Sequence, residues 1–166
     1  MKVSEALVQV EKFCTALKQA HPEMAFGAHP IKRHETAFKD WFRDEVPYRD
    51  CSKKSGVYIF ADEESNILYI GKAGSDNFAA EIYSKFSAAT EIKEIDGKKV
   101  PYFGNSSMAK WAKTAKKDYM EDFRNGDIWI SAIHVEPKEF ASLLEVYLHV
   151  WCATKEELPP INKRIG

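Results

Sequence analysis

Cysteine is scarce and unsuited to cross-linking: Cys14, Cys51 and Cys152 are an odd number without metal-ligand spacing, which argues against a disulfide framework or a cysteine zinc site and for a reducing, cytoplasmic setting. No run approaches the roughly 18 uncharged apolar residues a membrane helix needs. Glu5, Glu11 and Lys12 fall where a signal peptide would need its apolar stretch. An excess of one charge is missing too. The formal net charge is -1, so the chain as a whole projects no strong field toward nucleic acid or an anionic membrane, and any such contact must be local. Glycine and proline, 8 and 7 among 166 residues, are too few for a collagen-like or low-complexity chain. What is present, 45% hydrophobic and 30% charged residues, is the balance of one soluble globular domain.

Periodicity divides the chain. Leu7, Val10, Cys14 and Leu17 recur at the helical spacing, predicting an amphipathic helix over residues 4–19 that His21-Pro22 closes. A weaker helical pattern carries Phe38, Trp41 and Phe42 between Glu35 and Glu45. Residues 1–52 thus read as a helical N-terminal extension, a surface through which a protein partner can attach. Gly56–Ala61 and Ile67–Gly71 are short β-branched and aromatic runs around the polar Asp62-Glu63-Glu64-Ser65-Asn66, a β-hairpin pattern. Phe78, Ile82 and Phe86 then mark a helix. Asp96-Gly97 suits a two-residue hairpin turn inside an insert spanning about 87–126. In the same insert Met108, Trp111, Ala115, Tyr119 and Phe123 form one helical stripe. Residues 128–135 predict a third strand, and Pro137 opens a last helix through Trp151. The expected fold is α/β in the α+β sense: a small, largely antiparallel three-stranded sheet flanked by helices, with the main domain over residues 53–166.

The pair Gly56-Val57-Tyr58 and Tyr69-Ile70-Gly71, followed by Lys72-Ala73 and a helix, resembles the GIY-YIG nuclease signature. Leu143-Leu144-Glu145 and the terminal Pro160-Ile161-Asn162 resemble the end of the same module, as in the nuclease half of bacterial excision-repair incision enzymes. The resemblance spans about residues 54–163, apart from the insert. It implies a DNA endonuclease that uses one divalent ion, Mg²⁺ or Mn²⁺, with Tyr58 and Tyr69 at the nucleophile, Glu145 on the metal and Asn162 supporting the site. It also implies that Tyr58, Tyr69, Glu145 and Asn162 converge in one concave site. Read as ordinary strand aromatics, the two tyrosines would be core residues.

Phosphodiester hydrolysis needs a base, a cation for the phosphoryl oxygens and positive charge for the transition state. A tyrosine base must shed a proton with an unperturbed pKa near 10, so a cation such as Lys72 or the metal has to lower it. The sequence departs from the family at the helix arginine: Glu81 stands there, or Ala79 if two residues are not counted. Lys85, one turn beyond Glu81, is the nearest replacement and a salt-bridge partner for Glu81, although a point charge does not reproduce the guanidinium fork. His149, one turn beyond Glu145, is a candidate further ligand. Lys110, Lys113 and Lys117 lie on one helix face, where they suit phosphate contacts or a plain solvated surface. The rival to an endonuclease is a catalytically inactive module of the same fold that binds nucleic acid or protein, because activity resides in the site.

Overall fold

An apolar strand with no polar position on either face needs cover on both sides, and Gly56–Ala61 is such a run, buried at all six positions. The structure is a computed structural model that describes residues 1–29, 31–33, 51–90, 92–101, 119, 122, 127–155 and 158–162. In chain order its elements are α1 (Val3–Ala20), β1 (Ala25–Ala28), β2 (Lys32–Arg33), β3 (Gly56–Ala61), β4 (Ile67–Ala73), α2 (Phe78–Thr90), β5 (Ile92–Ile95), β6 (Lys98–Pro101), β7 (Trp129–Glu136) and α3 (Phe140–Thr154). The fold is α+β, and all its strand pairings are antiparallel.

The main sheet departs from the expected three strands. Its order is β1-β7-β3-β4, and β2 pairs with β7 as well. β3 fills one side of β7, so β1 and β2 share the other. Ala28 pairs with Ile133 and Lys32 with Ile130, a one-residue slip that makes β1 and β2 a single interrupted edge strand. The stretch before residue 53 is therefore not wholly helical. Alternation had no purchase on Ala25-Phe26-Gly27-Ala28 because three of its residues are small; pairing with β7 makes it a strand.

Strand alternation sorts two apolar layers. Tyr58, Phe60 and Tyr69 pack with Phe78 and Ile82 of α2, and with Ile130 and Ile161. Val57, Ile59 and Ile70 pack on the opposite face with Val10 and Cys14 of α1 and Leu144 and Leu148 of α3. α1 is tied down at its start: Val3 N–H donates to the Ser65 carbonyl at 3.0 Å, and Ile67 N–H to the Met1 carbonyl at 2.9 Å. Glu5 accepts from the Lys2 N–H at 2.9 Å, closing the first turn. Asp96 and Gly97, with φ of 52° and 73°, supply the two left-handed positions of the turn between β5 and β6. The helical pattern at 35–45 lies outside the described residues, as does the insert stripe apart from Tyr119, which packs against the α2-side core.

Candidate active site at the edge of the sheet

Tyr58 pairs with Gly71 and Phe60 with Tyr69 across the β3–β4 hairpin. A side chain on Gly71 has no room: its Cβ would stand 2.6 Å from the Tyr58 hydroxyl and 2.7 Å from the Tyr69 ring. The glycine of Tyr-Ile-Gly thus lets the first tyrosine lie over the second strand. The two phenol rings are 6.0 Å apart, with Phe60 5.2 Å and Phe78 6.5 Å from Tyr58. Both are core aromatics in packing terms, Tyr58 1% and Tyr69 8% exposed.

Their hydroxyls share a hydrogen bond that raises the pKa of Tyr58 and lowers that of Tyr69. Burial dominates both groups. Tyr58 is pushed well above its ordinary value by burial first, then by Tyr69, Glu81 and Glu145. Tyr69 is pushed up to about 12, with burial again first, while Glu145 and Glu81 add to it and the Tyr58 hydrogen bond opposes it. The requirement that a cation depress Tyr58 is therefore not met among the described residues: the charges acting on the pair are carboxylates.

Lys72 sits elsewhere than expected. Alternation along β4 turns it to the α3 face, where its Nζ is 3.6 Å from Glu145 Oε2 and donates to Ser142 Oγ at 3.1 Å. Glu145 is buried within the α3 layer; burial pushes its carboxyl above the usual carboxylate range, and Lys72 opposes that shift. The tyrosines belong to the α2-side layer, whereas Glu145 on α3 meets Lys72 on the other face of the hairpin. The Glu145 charge adds to the upward shift of both hydroxyls.

Asn162 closes the outer edge of β4. Its Oδ1 accepts from the Ile70 N–H at 2.8 Å and its Nδ2 donates to the Ile70 carbonyl at 2.9 Å, while the Ile161 N–H donates to the Leu68 carbonyl at 3.0 Å. The side-chain amide satisfies both groups that a neighbouring strand would otherwise take. On α2, Glu81 accepts from Asn77 Nδ2 at 3.3 Å; among the described residues no ion pair joins it to Lys85. Lys85 is the one cation on α2, and no described contact brings it to the tyrosines. His149 is buried at 1% exposure and is oriented by the Ile70 backbone; burial lowers its pKa against that hydrogen bond. Lys110, Lys113 and Lys117 lie outside the described residues. Sequence reading gave Glu81 the arginine position and a salt bridge to Lys85 and passed over Ser142, because neither the charge of Glu81 on the tyrosines nor the hydrogen bond to Ser142 leaves a mark in spacing.

Among the described residues no three His, Cys, Asp or Glu side chains form a metal cage, and none of the helices is long and apolar enough to cross a membrane. Comparison with known families, curated proteins and solved structures returns no match to the chain.

Proposed function

We propose that this chain is a divalent-metal-dependent endonuclease that hydrolyses DNA phosphodiester bonds at the β4 edge, slowed by the carboxylate at helix position 81. One observation carries the reading: the Tyr58 and Tyr69 rings meet on the β3–β4 hairpin 6.0 Å apart, and the buried Glu145 of α3 packs on the same hairpin through Lys72 of β4. Carboxylate and phenol oxygens are hard donors that suit Mg²⁺ or Mn²⁺. Glu145 would hold the ion, which when bound neutralises charge building on the phosphoryl oxygens.

The chain's own residues set the rest. The hydrogen bond shared with Tyr58 holds the Tyr69 hydroxyl in place. That hydroxyl then orients a water or a phosphoryl oxygen as a hydrogen-bond donor, and a pKa near 12 makes it a poor base at neutral pH. Tyr58 positions Tyr69, and Asn162 fixes the backbone that carries it. Glu81 works against an incoming phosphate.

That last point favours a second reading, a module of the same fold that binds nucleic acid or protein without cleaving. Nicking of supercoiled DNA in Mn²⁺ separates the two. The nuclease reading expects slow cleavage, its loss in Glu145→Gln, and a gain of about tenfold or more in Glu81→Arg, since a guanidinium fork can hold two phosphate oxygens. No cleavage by wild type and no gain in Glu81→Arg establishes the binding module instead.

A further inference from the structure

The tip of the β3–β4 hairpin, the end of α3 and the terminal tail bound an open cavity of about 460 Å³, lined by none of Tyr58, Tyr69, Lys72 or Glu145. That volume suits a ligand the size of a nucleotide. Its apolar lining includes Leu68 of β4, Pro160 of the tail and Tyr119, which packs against the core cluster that holds Leu68. An aromatic ring beside apolar side chains is a surface on which a flat base stacks.

The polar lining is unbalanced between donors and acceptors. Asp62 and Asn66 line the cavity from the hairpin. Asp62 Oδ1 accepts from the Asn66 N–H at 2.8 Å, and Oδ2 accepts from Asn66 Nδ2 at 2.8 Å. Nδ2 also donates to Glu64 Oε2 at 3.3 Å, so both protons of the Asn66 amide are committed. Its Oδ1 remains an acceptor, and about half the acceptor capacity of the Asp62 carboxylate is unused. The hairpin side therefore offers acceptors only. From the end of α3, Lys155 adds an ammonium that makes no ion pair among the described residues.

We propose that this cavity binds a guanine nucleotide, with the base against Tyr119, its donor edge on Asp62 and Asn66, and its phosphate on Lys155. Guanine alone among the DNA bases presents adjacent donors on its pairing edge, the ring N–H and the 2-amino group. Thymine flanks its single N–H with carbonyls, which would set acceptors against acceptors and leave them unpaired. The nucleotide is either free or an unpaired position of a strand, because pairing with cytosine hides the edge the cavity reads. This site stands apart from the endonuclease reading and does not depend on cleavage.

Titration calorimetry of the full chain with dGMP tests it. dGMP is expected to bind, dIMP, which lacks the 2-amino donor, about tenfold more weakly, and dTMP not measurably. Asp62 also holds the hairpin turn, so the base edge is tested by changing the ligand and not that residue. Tyr119→Leu should weaken dGMP about tenfold through lost stacking. Lys155→Met should bind dGMP as weakly as wild type binds deoxyguanosine. Circular dichroism confirms that both variants are folded. A short oligothymidine with one central guanine that binds more tightly than dGMP, and loses the advantage when annealed to its complement, places the nucleotide in an unpaired strand; equal affinity places it free. Binding of dGMP, dIMP and dTMP alike, dGMP binding unchanged in both variants, or no binding of dGMP or the strand overturns the site.

Discussion

At the scale of single residues, the tyrosine pair sets the terms. Tyr69 is buried among apolar side chains and near two carboxylates, and its pKa rises to about 12. A folded-state value above the unfolded one, near 10, means that stability is fully present below about pH 10 and is lost as pH rises toward 12. The loss amounts to about 2–3 kcal/mol, and Tyr69→Phe should flatten that part of the profile in denaturant titrations run across the window. A slope identical in wild type and Tyr69→Phe would show that Tyr69 ionises as freely folded as unfolded. Gly71 is the other strict position. Placing a methyl 2.6 Å from the Tyr58 hydroxyl overpacks a filled site, so Gly71→Ala should cost about 1–3 kcal/mol by urea unfolding. An unchanged midpoint would mean that Tyr58 does not lie over that strand.

At the scale of elements, the β4 edge decides whether the site has a firm floor. A strand edge must be paired, covered or charged, and here a side-chain amide from the chain's end does the covering. Asn162→Ala leaves the Ile70 N–H and carbonyl without that partner, and it should lower stability by about 1–3 kcal/mol. Amide exchange at Ile70 should accelerate. Protection at Ile70 equal to wild type would remove Asn162 from that role. The Pro-Ile-Asn run pointed to this residue by resemblance, but its partner, the backbone of one strand residue 92 positions earlier, has no local trace. The hairpin itself was plain: Gly56–Ala61 appears at its expected bounds, and β4 extends two residues beyond Gly71. β1 was not, since its small residues carry neither period nor β-branched enrichment.

At the scale of the whole molecule, the first helix is not a loose appendage. Val3, Ala6, Val10 and Cys14 are all buried, and they share one apolar layer with β3, β4, β7 and α3. Truncating Val10 to Ala should destabilise the entire sheet by about 2 kcal/mol, in a single transition followed equally by far-ultraviolet dichroism and tryptophan fluorescence. Two separated transitions, with the second at the wild-type midpoint, would instead make α1 a separate unit.

What the sequence determined by itself was local. Periods of about 3.6 and 2 produced α1, the hairpin, α2, β7 and α3, because both follow from which neighbours along the chain share a face. Asp96-Gly97 specified its turn through backbone sterics alone. The resemblance of the two tripeptides singled out the tyrosines, and Leu-Leu-Glu singled out Glu145. Only the tertiary structure decided which face of the hairpin each group occupies. Residues 69 and 71 point one way along β4 and residue 72 the other, so Lys72 meets Glu145 and not a phenol. Which strand lies at the edge, and what covers it, is fixed by pairings between distant segments whose closure no short spacing records.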